Sequence, residues 1–293
     1  MPRDHEKRDL ILYGVNNGFN LVTKPVPETL RSEVNNYRSA TNPVDRPKIE
    51  KQIIEEVQNG RYVIVDSKPD IVSAIGAIPK DEMRERMRPI HDASRPYGGA
   101  LNDFAETDPF KYQSVQDVIN LIKPGDYLGK LDLQAAYRSV GISRSNYKYT
   151  GLKWRFSGDK ADTYMIDTRL CFGSKRAPAI FNDLSNAVLA IMRKKGYYNI
   201  VCYLDDYICV CTTYEECQRT MLALMKVLRE LGFSINYNKV IGPSQIITFL
   251  GIEINTITMT TKLPQEKVID LDFRKCIRVI RSQNEDYSPL LVN

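Results

Sequence analysis

Three aspartates stand where carboxylates are expensive. Asp205 and Asp206 sit side by side in IVCYLDDYICVC, residues 200–211, and Asp132 closes an apolar run that begins at Tyr127. Apolar runs of this length form buried β-strands. An ionised carboxylate buried there without a partner is costly. Asp is common in tight turns, so the Asp205-Asp206 pair alone also fits a plain hairpin turn. Two adjacent like charges, however, raise one pKa unless a cation lies between them. If the two strand segments are sheet neighbours, all three carboxylates converge. Such a set suits two hard divalent cations held by oxygen. Two ions about 4 Å apart can activate one oxygen and stabilise the leaving one in phosphoryl transfer.

The elements that must carry these residues alternate between strand and helix signals. KIEKQIIEEVQNG predicts a helix with Ile53, Ile54 and Val57 as its apolar stripe and Gly60 as its stop. RYVIVD, 61–66, predicts a strand, and KPDIVSAIGAIPK shows no clear period. YLGKLDL predicts a strand that turns helical around Gln134 to Arg138, and WRFSGDKADTYMIDTRLCF a hairpin turning at Gly158 and Asp159. SKRAPAIFNDLSNAVLAIMRKKGYY predicts a helix with Pro178 in its first turn and Phe181, Leu184, Val188 and Ile191 in period. TTYEECQRTMLALMKVLRELG predicts a second, with Thr213 and Glu216 at capping-box spacing. FSINYNK and TFLGIEI read as strands, KLPQEKVIDLDFRKCIRVIRSQ as one more helix and DYSPLLVN as a tail. The order gives an α+β fold, an antiparallel sheet with helices packed on one face.

Composition narrows the classes. The 293 residues are 43% apolar and 26% charged, enough for a real core. No apolar run of about 18 residues is present, so no membrane span is expected, and MPRDHEKRDL is not a signal peptide. The six cysteines form no CxxC pair, and His5 and His91 lie near no cysteine in sequence. Zinc and a disulfide framework are therefore not expected, and a reducing, intracellular compartment fits. The net charge of +5 hints mildly at a polyanionic partner. PKDEMRERMRPIHDASRP gathers Lys80, Arg84, Arg86, Arg88 and Arg95, and on composition alone reads as a solvated helix face with interleaved acids.

Taken together, the motifs resemble the fingers and palm of reverse transcriptases, RNA-directed DNA polymerases of the retrotransposon type. YLDD at 203–206 resembles the family's Y-x-D-D hairpin, and KLDLQAAYRSVGI its first catalytic-Asp motif. FGSKRAPAIF, 172–181, is similar to the motif that opens the long palm helix. GFSINYNK, 232–239, and FLGIEI, 249–254, resemble the two that complete the palm. RPIHDASRPYGGALND, 88–103, resembles the fingers motif in a wording closer to DIRS-like or Ty3/gypsy-like elements than to retroviruses. A single YxDD is weak; five motifs in the family's order across residues 80–254 are specific.

The resemblance implies a right-hand palm at 129–254, fingers at 61–128 with part of 140–170, a helical extension at 1–60, and a short or missing thumb at 255–293. It implies that Asp132, Asp205 and Asp206 are catalytic and bind two Mg2+ ions (Mn2+ being the alternative), with the carbonyl of Leu133 as a further ligand. Tyr137 would fill the space of a ribose 2′-hydroxyl, and Arg88, with Lys80, would grip the nucleotide's phosphates. Phe172 and Gly173 would meet the nucleotide, although many retroviral relatives carry glutamine where Phe172 stands. Lys239 would protonate the departing pyrophosphate, and Phe249, Leu250 and Gly251 would form the primer grip. Partners would be a primed RNA or DNA template and deoxynucleotides, with RNase H and thumb domains expected elsewhere in a larger element-encoded polyprotein. A truncated, inactive copy that only binds nucleic acid, and an RNA-directed RNA polymerase, are the rival expectations.

Overall fold

The computed structural model describes residues 2–81 and 83–263, and the helix and tail expected beyond residue 263 lie outside them. The chain divides into two compact units. The first comprises Met1–Tyr112, Leu133–Ile191 and Leu228–Ser234; the second comprises Gln113–Asp132, Met192–Val227 and the chain from Ile235.

In the first unit a five-stranded sheet runs in the order Ser32–Glu33, Ile71–Val72, Gly151–Trp154, Thr163–Asp167, Tyr62–Val65. Helix Arg46–Gln58 starts with Pro at its first turn and lays Ile49 and Ile53 on this sheet's core with Tyr62, Leu152, Trp154 and Met165. Each such isoleucine contributes roughly 1.5–3 kcal/mol on burial. The inward stripe is thus Ile49, Ile53 and Val57, while Ile54 faces solvent, contrary to the stripe expected from the sequence. A separate hairpin pairs Ala74–Pro79 with Met87–Asp92. The basic stretch is therefore strand and turn rather than a helix face. The first of these strands escapes a periodicity reading because Ala74, Ile75, Gly76 and Ala77 are buried in succession, so there is no polar face to alternate.

In the second unit a four-stranded antiparallel sheet runs in the order Ile241–Ser244, Tyr127–Asp132, Asp206–Cys211, Ile200–Tyr203. Helix Tyr214–Glu230 lies directly on it: a Cβ at Gly129 would sit 2.4 Å from Met221 Sδ and 3.1 Å from Cys217 Sγ. Only a glycine lets the helix come this close to the strand that ends in Asp132. The expected cap is present, with Glu216 N donating to Thr213 Oγ1 at 3.1 Å. Two expected strands differ. FSINYNK makes a 3-10 turn at Tyr237–Lys239 ahead of the strand Ile241–Ser244. TFLGIEI is a hairpin, with Phe249 opposite Ile252 and a two-residue turn at Leu250 (φ 48°) and Gly251 (φ 80°). Positive φ at both turn residues is what such tight hairpins require. Among the described residues no helix is long and apolar enough to cross a membrane.

Candidate active site

In the second unit, strand register decides where the carboxylates go. Asp206 pairs directly with Asp132 across the central strands, so both side chains rise from one face. Tyr203 pairs with Asp206, leaving Leu204 and Asp205 as a two-residue turn. Leu204 has φ 54°, a left-handed conformation that a branched apolar residue adopts at a cost. The two strand segments are sheet neighbours, which was the condition for convergence, and they bring the three aspartates to one sheet end.

Their electrostatics show a shortage of positive charge. Burial, then Asp206 and Asp132, pushes the Asp205 carboxyl above its usual range. Asp206 is likewise raised, by burial and by Asp132, against the pull of Lys130. Lys130 Nζ is 3.5 Å from the buried Asp206 Oδ1, which has no hydrogen-bond donor among the described residues. Asp132 is better served: Asn236 Nδ2 donates to Oδ1 and Lys239 Nζ to Oδ2, each at 3.0 Å. The backbone N–H of Asn236 also donates to the Asp132 carbonyl at 2.9 Å. A hard, all-oxygen donor set with raised pKa values and an orphaned oxygen fits a divalent cation. The three carboxylates are nevertheless not drawn within 4.8 Å of one another; among the described residues only His91, Asp167 and Cys171 place ligand atoms that close. Lys130 was legible two residues before Asp132, on the same strand face. Asn236 had no sequence signal.

The first unit holds the residues expected to meet the nucleotide. Tyr137 stacks on Phe172, with centroids 5.3 Å apart at 21°, and leans on Phe181 from another side, also at 5.3 Å. Arg88 sets its guanidinium 5.4 Å from the Phe172 ring centre. Gly173 has φ 123°, and a Cβ there would lie 1.9 Å from the His91 carbonyl oxygen. His91 N donates to the Phe172 carbonyl at 2.9 Å, so this segment is pressed onto the strand that carries Arg88. Lys80 has its pKa pulled down by burial and by Arg88 and Arg86. The two arginines outweigh the opposing pull of Glu55 and Glu56 on this lysine. Phe249 is fully buried, with Leu250 and Gly251 in the turn beside it, and Leu133 is buried next to Asp132.

His91, far from any cysteine in sequence, meets Cys171 and Asp167 in the fold, across 80 residues of chain. The cluster is closed by protein groups. Arg138 Nη1 occupies Asp167 Oδ2 at 2.7 Å, and the Tyr62 hydroxyl meets His91 Nε2 at 2.6 Å. Burial holds His91 down to about 4 and pushes Cys171 up to about 12, so the thiol keeps its proton at neutral pH. A metal would have to displace a buried arginine and ionise that thiol.

Comparison with known proteins bears on the family and the fold. Over 167 residues the chain is 25% identical to the Gag-Pol polyprotein of Gibbon ape leukemia virus, covering 56% of this chain and 10% of that polyprotein. Over 211 residues it is 24% identical to the retrovirus-related Pol polyprotein from transposon opus of Drosophila melanogaster, covering 70% of this chain and 19% of that one. The chain thus spans a small part of the curated relatives it matches. Its fold is similar to a foamy viral protease-reverse transcriptase in complex with ds DNA, with a TM-score of 0.67 at 22% identity over 85% of this chain and 39% of that one. The same foamy viral protein in complex with an RNA/DNA hybrid matches with a TM-score of 0.66 at 20% identity, over 85% of this chain and 30% of that one. The family described as reverse transcriptase (RNA-dependent DNA polymerase) matches residues 78–254, more than half of the sequence, and the chain belongs to that family.

Proposed function

We propose that this chain provides the fingers and palm of a retroelement polymerase that copies a primed RNA template into DNA, adding deoxynucleotides to a primer 3′-hydroxyl and releasing pyrophosphate. The observation that carries this reading is Asp206 opposite Asp132, beside the strained turn that holds Asp205. Divalent cations, Mg2+ or Mn2+, would supply Lewis-acid charge at the reacting oxygens. Asp132, Asp205 and Asp206 would hold them, with the carbonyl of Leu133 completing the set. Tyr137, braced by Phe172 and Phe181, presents a ring that cannot yield to a 2′-hydroxyl. Lys80 and Arg88 would grip the triphosphate, with Gly173 admitting close backbone approach. Lys239, held on Asp132 and largely exposed, would deliver a proton to the departing pyrophosphate. Phe249, Leu250 and Gly251 would seat the primer end. In this reading residues 129–254 are palm, 61–128 with part of 140–170 are fingers, and 1–60 are a helical extension.

Primer extension on an RNA template with Mg2+ and deoxynucleotides tests it. Asp205→Asn is expected to cut the rate by about a thousandfold or more. Tyr137→Ala is expected to raise ribonucleotide incorporation relative to deoxynucleotide by about tenfold. Wild type and Asp205→Asn proving equally inert, while still binding primed duplex, would replace this reading with that of an inactive nucleic-acid binder.

A further inference from the structure

Helix Arg46–Gln58 does more than fill the core of the first unit. Asp45, the residue before it, is 1% exposed. Its Oδ2 accepts from Arg84 Nη2 at 2.6 Å and from Asn42 Nδ2 at 2.9 Å. Its Oδ1 is buried with no hydrogen-bond donor, and Lys48 Nζ lies 3.8 Å away. A carboxylate so enclosed depends on Arg84 for its charge balance, and removing one partner of such a pair leaves an uncompensated charge.

Arg84 belongs to the turn between strands Ala74–Pro79 and Met87–Asp92, the hairpin that presents Lys80 and Arg88. It has φ 54°, unfavourable for a residue with a Cβ, so the turn is held in a shape its backbone would not choose. Three more contacts hold it. Lys48 Nζ donates to the Arg84 carbonyl, Gln52 Nε2 donates to the Met87 carbonyl, and Lys80 N donates to the Arg86 carbonyl at 2.8 Å. Within the turn, Asp81 accepts from Glu85 N at 2.8 Å and from Arg86 N at 3.2 Å. Lys80 N bonds the Arg86 carbonyl, and Arg88 pairs with Ile78 in the strands beside it, so the backbones of Lys80 and Arg88 are tied to the turn that Arg84 anchors.

We propose that Asp45 is a positioning residue: by clamping Arg84 it fixes the hairpin that carries Lys80 and Arg88, and so sets the affinity for the triphosphate of the incoming nucleotide. The clamp also spends one cation of a crowded basic stretch on a structural acid, leaving Lys80 and Arg88 for the ligand. This rests on the polymerase reading above.

The test uses the full chain, with Asp45→Asn, Arg84→Gln and the double variant. Steady-state extension is measured against deoxynucleotide concentration. Each single variant is expected to raise the nucleotide KM by about tenfold, with kcat and primer-template affinity within about twofold, because the misplacement touches the triphosphate grip alone. The double variant is expected to be no worse than either single, since both break one contact. A KM unchanged in both singles overturns the proposal. So does a parallel fall of kcat, template affinity and melting temperature, which marks a general packing role. If wild type extends no primer, the polymerase reading fails by itself, and the clamp is read from trypsin cleavage after Arg86 in the presence of Mg2+ and a deoxynucleoside triphosphate. A higher half-protecting nucleotide concentration in the singles supports the proposal. Equal concentrations, or no protection of wild type, overturn it.

Discussion

The chain buries acids in two places and treats them in opposite ways. In the first unit Asp167 is fully buried, yet Arg138 Nη1 sits 2.7 Å from it, and the same guanidinium reaches Glu56 through Nε at 2.8 Å. Burial pushes Glu56 up, but Arg61 and Arg138 more than offset this and leave it below the usual carboxylate range. In the second unit Asp205 and Asp206 are less deeply buried, and still their carboxyls are raised, by burial and by neighbouring carboxylates that the nearby lysines do not fully offset. Burial therefore does not distinguish structural acids from reactive ones here. The charge balance does. One acidic network is closed with arginine and the other is left short, and in the proposed reading the second would take a cation from solution.

Exchanging one carboxylate for its amide in each network separates the two most strongly. Asp205→Asn is expected to abolish extension while leaving the melting temperature unchanged or higher, since it removes a raised, repelled charge. Asp167→Asn is expected to do the reverse and cost about 3 kcal/mol of stability, because Arg138 then keeps a buried charge without its partner. Paired thermal melts and extension rates check both. Equal stability losses would erase the distinction.

Only one of the two networks was legible in the sequence. The second unit's acids lie on strands marked by apolar runs, and the two-residue turn fixes Asp206 against Tyr203. The pairing of Asp206 with Asp132 joins strands 74 residues apart, and the sequence offered it only as a condition. The long helices were legible too, because Phe181, Leu184 and Val188, and then Cys217, Met221, Leu224 and Leu228, fall in helical period and are buried; of the same expected stripes Ile191 is half-buried and Leu231 is exposed just past the helix end. The first unit's network was not, since Glu56 and Arg138 stand 82 residues apart, and Arg138 and Asp167 29 apart. Ion pairs at such separations leave no periodic trace. FLGIEI misled for another reason: its turn is Leu250-Gly251, without the Asn or Asp that usually marks so tight a hairpin.

Adding Mg2+ sharpens the contrast at an intermediate size. A cation that binds only the folded second unit raises stability by about 2.7 kcal/mol at a hundredfold excess over its dissociation constant. Wild-type protein is expected to show a magnesium-dependent rise in melting temperature, and Asp205→Asn to lose most of it. Asp167→Asn, although less stable, is expected to keep the full increment, because its network offers no open oxygen to the ion. A rise that survives Asp205→Asn and vanishes in Asp167→Asn would place the ion in the wrong unit.

Acid titration without metal gives the smallest effect and the opposite sign for each network. A carboxyl raised in the folded state takes up protons more readily there than in the unfolded chain. Its stabilising contribution is full below the unfolded value near 3.8 and is lost as pH rises through the raised folded value. Glu56, depressed in the folded state, contributes fully above about 4.5 and loses that contribution as pH falls through its lowered value. The double variant Asp205→Asn, Asp206→Asn is therefore expected to be more stable than wild type at pH 7. The margin should be about 1 kcal/mol or less, because both side chains keep some contact with water. It should shrink steadily as the pH is brought down to 4, since wild type regains in acid what the variant has already gained. Urea unfolding at pH 7, 5.5 and 4.5 measures the gap. A gap that widens in acid would mean that the hairpin aspartates are stabilised as anions, and the charge shortage on which the cation site rests would be absent.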